Sequence, residues 1–397
     1  MDITIFPGRL SGTVSVIPSK SQAHRLLICA AFADGETELI CPETSRDMDT
    51  TAGCLKALGA DIRRTDSGWH IIPAAAIPET AVVNCRDSGS TLRFLLPVAG
   101  ALGVDTVLRM EGRLPSRPLS PLWEEMERMG CILTRPTSDT IRCQGRLRAG
   151  AYSIDGSVSS QFITGLLLAA ALLDGESSIQ LTGKVESRPY ITMTQKAIAL
   201  FGKPCDDFTV TAGRFHSPGK IQVEGDWSNG AFFLAASALG NSVATENLSP
   251  DSPQGDRAAA ELLPRLKEHL TISAADIPDL VPILSVVAAC NQGAVFTDIR
   301  RLRLKESDRV ASVISMITAL GGRAEADADT LTVYGTGLTG GTVDALNDHR
   351  IAMSAAIAAT ACRKAVTILG AECVEKSYPR FFEEYRRLGG TYEQYLR

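Results

Sequence analysis

Eight basic side chains stand in or beside the polar starts of predicted helices, where a cation opposes the helix dipole. They are Lys20, Arg25, Arg93, Arg117, Lys305, Arg309, Arg350 and Lys376. A helix N-terminus already carries unpaired N–H groups and about half a positive charge, so added cations strengthen its attraction for anions. One such cation is an ordinary surface charge. Their recurrence predicts a site that binds more than one phosphate or carboxylate group at once.

Two carboxylates stand out against these cations. Asp279 directly follows Pro278 at a predicted helix start, and Glu306 lies in the run Lys-Glu-Ser-Asp-Arg at 305–309. An acid surrounded by cations is held ionised, as a general base must be, and a neighbouring acid keeps its proton where burial outweighs the cations. A helix cap at Asp279 and a capping or ion-pair role for Glu306 and Asp308 remain open alternatives.

Six apolar, alanine-rich helices carry these polar heads. Their starts lie at Ser19, Asp87, Ser159, Trp227, Asp279 and Asp348. In the first, Pro18 stands outside the helix and Ser19 is the predicted N-cap. Most of the six are followed by a turn and a β-rich run, so the pattern indicates one structural unit repeated six times.

A second recurring element supports the repeat. An amphipathic helix ends in a bulky residue and a glycine before a β-run, with the glycine at 59, 130, 202, 321 and 389. Glycine ends helices because it readily takes a positive φ. The spacing of roughly 70 residues suits a βαβαββ unit and is too long for a solenoid. Between Gly202 and Gly321 one copy lacks its glycine, near 261–272, and we interpret it as a truncated fifth repeat.

These patterns predict an α/β (α+β) fold of two lobes, each with three inverse βαβαββ repeats. Residues 19–224 would form the N-terminal lobe, and residues 1–18 with 225–397 the C-terminal lobe. Hinges are expected near Ser19 and Gly225. The six helix N-termini would then converge on the interdomain cleft.

Composition limits the remaining classes of function. The 397 residues carry a net charge of −5, which argues against a nucleic-acid surface because phosphate backbones need a broad basic face. The ten cysteines form no pair or cluster at metal-ligand spacing, and scattered free thiols suit a reducing cytosol. No signal peptide or membrane span is indicated. We expect a cytoplasmic monomer that binds small molecules and needs neither metal nor cofactor.

The motifs together resemble the 5-enolpyruvylshikimate-3-phosphate (EPSP) synthase family, the 3-phosphoshikimate 1-carboxyvinyltransferases, over essentially the whole chain. In chain order they are Lys20-Ser21 with Arg25, Asp87-Ser88-Gly89-Ser90 with Arg93, Arg117-Pro118, Ser159-Ser160-Gln161, Ser187-Arg188-Pro189-Tyr190, Lys305-Glu306-Ser307-Asp308-Arg309, Asn347-Asp348-His349-Arg350 and Lys376-Ser377-Tyr378-Pro379. The resemblance implies transfer of the enolpyruvyl group of phosphoenolpyruvate to the 5-hydroxyl of shikimate 3-phosphate. It also implies two lobes that close on the substrates.

The resemblance also implies residue roles. Asp279 would be the base on the 5-hydroxyl, Glu306 its partner acid, and Lys20 a further catalytic residue. Shikimate 3-phosphate would be held by Lys20, Ser21, Arg25, Ser159, Ser160, Gln161, Ser187, Tyr190, Asp279 and Lys305. Phosphoenolpyruvate would be held by Lys20, Gly89, Arg117, Gln161, Arg309, Arg350 and Lys376.

Two positions depart from the family pattern. Arg301 stands where the family often has an asparagine that contacts shikimate, and Asp87 stands where asparagine is common. We expect the Asp87 carboxylate to weaken anion binding slightly. The related transferase acting on UDP-N-acetylglucosamine fits less well, because it has Lys-Asn where this chain has Lys20-Ser21 and a cysteine near Arg117. A non-enzymatic anion-binding repeat protein is the other alternative, and it would not need acids beside the cations.

Overall fold

The structure, a computed structural model, describes residues 1–395 and divides them into two compact units. Unit 2 comprises Pro18–Val223, and unit 1 comprises Met1–Ile17 with the chain from Glu224 onward. Each unit has its own buried hydrophobic core. The division falls beside the two predicted hinges; that these residues act as hinges stays a prediction.

Unit 2 contains six helices and twelve strands within the described residues. The helices are α1 Lys20–Ala31, α2 Arg46–Ala57, α3 Gly89–Leu102, α4 Leu122–Arg128, α5 Ser160–Ala170 and α6 Arg188–Leu200. The strands are β3 Thr37–Ile40, β4 Asp61–Thr65, β5 Gly68–Ile72, β6 Thr80–Asn84, β7 Asp105–Arg109, β8 Cys131–Thr134, β9 Thr140–Gly145, β10 Ala151–Asp155, β11 Ser177–Thr182, β12 Cys205–Asp206, β13 Thr209–Val210 and β14 Lys220–Gln222. A 3-10 turn covers Leu114–Ser116.

Unit 1 contains six helices and ten strands within the described residues. The helices are α7 Trp227–Ala238, α8 Ala259–Arg265, α9 Val281–Cys290, α10 Arg309–Ala319, α11 His349–Ala358 and α12 Phe381–Arg387. The strands are β1 Asp2–Phe6, β2 Ser11–Ser15, β15 Ser242–Glu246, β16 Leu270–Ser273, β17 Ala294–Thr297, β18 Arg323–Ala326, β19 Thr330–Tyr334, β20 Gly341–Asp344, β21 Val366–Leu369 and β22 Thr391–Tyr395. Short 3-10 helices cover Gly255–Ala258, Arg300–Leu304 and Ala371–Lys376.

Five sheets in the described residues share one pattern of four strands. Their orders are β14-β3-β5-β4, β6-β7-β9-β8 and β10-β11-β13-β12 in unit 2, and β16-β17-β19-β18 and β20-β21-β1-β22 in unit 1. In each, the first two strands are parallel and the other neighbours are antiparallel. The N-terminal strand β1 completes the last sheet, with Ile3 opposite Ile368.

The sixth sheet has only the parallel strands β2 and β15. The chain passes from α8 directly to β16, which begins the next sheet, so the hairpin that should follow α8 is missing. The truncation lies at 261–272 as predicted. The two-stranded sheet is part of the repeat that contains α7, the fourth polar-headed helix. The shortened repeat is therefore the fourth and not the predicted fifth.

Local signals set the helix ends. Ser19 caps α1 and its Oγ accepts from the Gln22 N–H, which confirms the predicted start. The predicted helix-ending glycines all have positive φ, at 108°, 115°, 77°, 83° and 96° for Gly59, Gly130, Gly202, Gly321 and Gly389. The expected start at Asp279 is wrong by two residues: α9 begins at Val281 with no side-chain cap.

Helix burial explains why polar groups gather at helix starts. Nearly every residue of α7, α9 and α11 is buried, and these three helices pack against one another. In unit 2, α3 packs on α5, and α6 lies against α1 and α5. A helix that is apolar on all sides can expose charged and polar groups only at its ends. Several candidate functional residues, such as Ser160 and Arg350, lie at those ends.

Candidate active site

The candidate residues fall into two sets, one in each unit, and each set is described by itself. The unit 2 set comprises Lys20, Ser21, Arg25, Gly89, Arg117, Ser159, Ser160, Gln161, Ser187 and Tyr190. The unit 1 set comprises Asp279, Lys305, Glu306, Arg309, Arg350 and Lys376. Whether both sets act on the same pair of substrates stays a prediction.

Arg25 anchors the unit 2 set from inside the first turns of α1. Its side chain is buried, and its Nε donates to Thr194 Oγ1 at 2.8 Å. Its Nη2 donates to Thr164 Oγ1 at 3.2 Å and to the Tyr190 carbonyl at 3.0 Å, and Nη1 donates to the Ser21 carbonyl. All these partners are uncharged. Burial lowers the pKa of Arg25 to about 10, because no carboxylate among these partners compensates the cation.

The start of α5 presents the amide of Gln161 in one fixed orientation. Arg93 Nη1 donates to Gln161 Oε1 at 2.7 Å, and Gln161 Nε2 donates to Ser90 Oγ at 3.0 Å. Ser159 caps the helix by accepting from the Gln161 N–H at 3.2 Å. Because both ends of the amide are occupied, its oxygen and nitrogen cannot exchange places without breaking two hydrogen bonds.

Gly89 opens the α3 start to Arg117. A Cβ at Gly89 would lie 2.6 Å from Arg117 Nη1, so the guanidinium rests against the glycine backbone. Only glycine allows this approach without moving the arginine. From the sequence we expect Gly89 to let a ligand come near the backbone, and the structure places the candidate anion-binding cation Arg117 there.

The remaining unit 2 residues line the same helix starts. Ser21 is half-buried in the first turn of α1, and Ser160 is buried as the first residue of α5. Ser187 precedes α6 with φ of 55° and is 1% exposed. A positive φ is costly for a residue with a side chain and persists only when its surroundings enforce it. Tyr190 contributes its carbonyl to Arg25.

The first two residues of α2 are charged, and each forms an ion pair with a different segment of unit 2. Lys20 Nζ lies 3.0 Å from Asp47 Oδ2, and Arg46 Nη2 lies 3.1 Å from Asp87 Oδ1. The carboxylate of Asp87, which stands where asparagine is common in the family pattern, is therefore ion-paired.

Asp279 is the centre of the unit 1 set. Its Oδ1 accepts from Arg309 Nη1 at 2.6 Å and lies 3.8 Å from Lys305 Nζ, and its Oδ2 accepts from Arg350 Nη2 at 3.0 Å. Burial alone would raise the pKa of Asp279, but Arg350, Lys305 and Arg309 outweigh it and hold the pKa well below its ordinary value. Asp279 is thus an ionised carboxylate, as the sequence argument expected of an acid among cations.

The same environment favours the charged form of Asp279 but disfavours the charged form of Lys305. Burial lowers its pKa to about 8, with Asp279 opposing that shift and Arg309 and Arg301 adding to it. A lysine with such a pKa exchanges a proton readily near neutral pH. Arg301, the departure from the family pattern, lies in the 3-10 helix Arg300–Leu304 and acts on Lys305 through its charge.

Arg309 holds three acids together from the first position of α10. Besides Asp279, it donates from Nη2 to Glu306 Oε2 at 2.7 Å and from Nε to Asp348 Oδ2 at 3.1 Å. Its side chain has no exposed surface. Burial would lower the pKa of Arg309, but the carboxylates of Asp348, Asp279 and Glu306 raise it. Any direct contact of Arg309 with a ligand therefore requires one of its carboxylate partners to move.

Two predicted cations complete this set. Arg350 is the second residue of α11, and Asp348, the N-cap of that helix, accepts from its backbone N–H at 3.0 Å. Lys376 is buried, and its Nζ donates to the Asn347 carbonyl at 2.9 Å.

Sequence reasoning missed several residues that organise the site. Asp348 lies in the Asn-Asp-His-Arg motif at 347–350, which suggests no role for it. In the structure its Oδ2 accepts hydrogen bonds from both Ser307 and Arg309. Thr164 and Thr194 hold Arg25 from distant positions with no motif to mark them. Asp256 is buried and accepts from Ser228. Burial and the nearby Asp279 raise the pKa of Asp256 to about 7.

The set in unit 1 can remove a proton from a hydroxyl group, and both sets can bind anions. Among the described residues no group of His, Cys, Asp and Glu is placed to hold a metal ion. No helix among residues 1–395 is both long and apolar enough to cross a bilayer.

Comparison with known proteins identifies the family of the chain. Residues 6–385 match the family described as EPSP synthase (3-phosphoshikimate 1-carboxyvinyltransferase). The 3-phosphoshikimate 1-carboxyvinyltransferase of Clostridium beijerinckii is 35% identical, with 99% of each chain covered. The enzyme of the same name from Methanospirillum hungatei is 36% identical, with 96% of each covered. The EPSP synthase structure from Acinetobacter baumannii superposes with a TM-score of 0.80 at 24% identity, covering 99% of this chain and 100% of that one.

Proposed function

Since the chain belongs to the EPSP synthase family, we propose that it transfers the enolpyruvyl group of phosphoenolpyruvate to the 5-hydroxyl of shikimate 3-phosphate and releases phosphate. It is a 3-phosphoshikimate 1-carboxyvinyltransferase of the shikimate pathway, which leads to chorismate and the aromatic amino acids. Its action as a monomer in the cytoplasm stays a prediction.

The observation that carries the mechanism is the ionised Asp279 between Arg309 and Arg350 with Lys305 beside it. Asp279 takes the proton of the 5-hydroxyl while that oxygen forms a bond to C2 of phosphoenolpyruvate. The methylene carbon gains a proton from protonated Glu306, and the product is a tetrahedral adduct. The adduct then loses a proton from its methyl group and expels phosphate, which restores the double bond. Glu306 is the partner acid in this scheme.

The cations provide the charge stabilisation that these steps require. Arg350 and Lys376 in unit 1, with Lys20, Gly89, Arg117 and Gln161 in unit 2, bind phosphoenolpyruvate in the proposal. Arg309 joins them once Glu306 or Asp279 has released it. Fixed donors aimed at developing charge need no reorganisation during the reaction, which is the main source of such catalysis. Arg93 and Ser90 hold the amide of Gln161 in one orientation, which supports its place among these fixed groups.

Shikimate 3-phosphate is bound in the proposal by a mixture of cationic and hydroxyl groups. These are Lys20, Ser21, Arg25, Ser159, Ser160, Gln161, Ser187 and Tyr190 in unit 2, and Asp279 and Lys305 in unit 1. The uncompensated charge of Arg25 supports this role, because a buried cation with only neutral partners gains most from an arriving phosphate.

A phosphate-release assay tests the proposed reaction. Phosphoenolpyruvate is supplied with shikimate 3-phosphate, with no acceptor, or with UDP-N-acetylglucosamine as a matched alternative acceptor. We expect release only with shikimate 3-phosphate, in equal amount to the enol ether product found by mass spectrometry. Release with the nucleotide sugar alone, or substrate binding without any release, would overturn the proposal.

A further inference from the structure

A buried network of side-chain hydrogen bonds, His24–Thr51–Thr91–Ser88, joins three helices of unit 2. In α1, His24 Nδ1 lies 2.7 Å from Oγ1 of Thr51, which belongs to α2. Thr51 Oγ1 lies 2.7 Å from Thr91 Oγ1 in α3, and Thr91 Oγ1 donates to Ser88 Oγ at 2.8 Å. All four residues are buried. Hydrogen bonds that are linked and shielded from water in this way strengthen one another.

The last bond of the network sets the direction of the others. A hydroxyl has one proton to donate, so Thr91, which donates to Ser88, accepts from Thr51. Thr51 has then used its own proton and accepts from the ring of His24. The Nδ1 atom of His24 therefore carries the ring proton, and in the neutral ring Nε2 carries none.

The surroundings of His24 suit a neutral ring. Its Nε2 is buried and has no hydrogen-bond partner among the described residues, so a proton there would be a buried donor without an acceptor. Burial, with Lys20 and Arg25 adding to it, holds the pKa of His24 well below its ordinary value. The ring also stands perpendicular to that of Phe94 in α3, with the ring centroids 6.2 Å apart.

Each end of the network lies beside a candidate phosphoenolpyruvate contact. His24 lies one helical turn beyond Lys20, the first residue of α1. Ser88 is the N-cap of α3, and Gly89 follows it as the first residue of that helix. Lys20 and Gly89 belong to different helices, so a ligand that contacts both depends on how those two helix starts are placed relative to each other.

We propose that His24, as its Nδ1–H tautomer, is a positioning residue that fixes the starts of α1 and α3 relative to each other for phosphoenolpyruvate. It acts through Thr51 and Thr91. This inference rests on the proposed function, because it takes Lys20 and Gly89 to be phosphoenolpyruvate contacts. The unit 2 contacts proposed for shikimate 3-phosphate include no residue of α3, so its binding should depend less on the network.

Nitrogen NMR of the wild type, with its five histidines labelled with ¹⁵N, tests the tautomer. The His24 signals are those that disappear in His24→Asn and move in Thr51→Val. Near neutral pH we expect Nδ1 of His24 to be protonated and Nε2 to be unprotonated. A proton on Nε2, whether alone or together with one on Nδ1, would overturn the inference.

Kinetics of Thr51→Val test the effect on the ligand, because valine keeps the shape of threonine and removes the central hydroxyl. We expect the KM for phosphoenolpyruvate to rise about fivefold, the order of one lost buried hydrogen bond. The KM for shikimate 3-phosphate and kcat should change less than about twofold, as for an interaction that serves one substrate. Thr51→Ser restores the hydroxyl and should restore the KM for phosphoenolpyruvate.

Thr106→Val is the matched control. Thr106 is equally buried, lies in β7 and donates to the Val104 carbonyl at 3.1 Å, so this variant loses a buried hydrogen bond outside the network. Its KM for phosphoenolpyruvate should equal that of the wild type. If Thr51→Val does not fold, Thr91→Ala interrupts the network from α3 and replaces it.

Three kinetic results would overturn the inference while the proposed function stands. They are an unchanged KM for phosphoenolpyruvate in Thr51→Val, an equal rise in Thr106→Val, and a Thr51→Ser variant as weak as Thr51→Val. A wild type that releases no phosphate contradicts the proposed function instead, and the tautomer of His24 still tests the network.

Discussion

Arg25 in unit 2 and Arg309 in unit 1 are both buried at the candidate site, and the two units stabilise these charges in opposite ways. Arg25 in unit 2 is held by two threonine hydroxyls and two carbonyls, with no carboxylate among those partners. Arg309 in unit 1 contacts three carboxylates. Burial lowers the pKa of Arg25, whereas the carboxylates raise that of Arg309.

The difference indicates a division of roles. A cation held by neutral groups keeps its attraction for an incoming phosphate, so the unit 2 set is suited to binding. A cation shared by three acids has its charge already balanced, and it fixes those acids in place and keeps Asp279 ionised. The unit 1 set is therefore suited to moving a proton. Each prediction below changes one side of this comparison.

Removal of the base should have the largest effect. Asp279→Asn keeps the size of the side chain and can still accept hydrogen bonds, but it cannot take a proton. We expect kcat to fall by about 10³-fold or more, since general bases contribute about 10² to 10⁴. Phosphate release at saturating substrates measures it. The exposed carboxylate of Asp276, on the same loop, gives the control Asp276→Asn; equal activity in both variants would exclude Asp279 as the base.

The same substitution at the two arginines should destabilise the units unequally. Arg309→Met leaves three carboxylates without their shared cation, which typically costs about 3–5 kcal/mol. Arg25→Met removes a poorly solvated charge and leaves only neutral acceptors, so we expect a loss of about 1 kcal/mol. Urea unfolding of both variants compares the losses. A larger loss in Arg25→Met would contradict the contrast between the units.

Lys20→Met should weaken phosphoenolpyruvate use by about 10²-fold in kcat/KM, because it removes an anion contact and leaves Asp47 unpaired. Steady-state kinetics with each substrate varied gives the value. The combined variant Lys20→Met with Asp47→Asn should recover part of the loss. A combined variant as poor as Lys20→Met alone would show that the liberated carboxylate contributes nothing.

Asp256 should make unit 1 sensitive to pH. Its pKa of about 7 lies above the ordinary 3.8, so the folded chain keeps a proton that the unfolded chain releases between about pH 4 and 7. This contribution to stability is complete at low pH and is lost as pH rises through 7. Asp256→Asn removes the dependence, so the variant should gain stability relative to wild type from pH 5 to pH 8. Urea midpoints at both pH values test this, and a difference that does not change with pH would refute it.

Local features of the site could be predicted from the sequence, because they depend on neighbouring residues. The Ser19 cap and the positive φ of Gly59 follow from signals a few residues long. The grouping of cations at helix starts follows from apolar helices that can be polar only at their ends. The truncation near 261–272 could be located from the missing glycine, but its place in the order of repeats depends on which strands pair.

Contacts between distant residues could not be predicted in the same way. Thr194 lies 169 positions from Arg25, and Asp348 lies 39 positions from Arg309. Neither pairing leaves a periodic or local signal. The same holds for Asp87, which looked unfavourable by itself and is balanced by Arg46 on another helix. Asp279 resembled a helix cap, and only the structure shows that its carboxylate pairs with arginines.

In the proposed function unit 2 provides most of the affinity for shikimate 3-phosphate, and unit 1 provides the base. Calorimetric titration of shikimate 3-phosphate into Asp279→Ala and Arg25→Gln tests it most directly. We expect Asp279→Ala to bind within about threefold of the wild type without turning over, and Arg25→Gln to lose at least about tenfold in affinity, as for a lost charged hydrogen bond. Full affinity in Arg25→Gln together with lost affinity in Asp279→Ala would contradict the account.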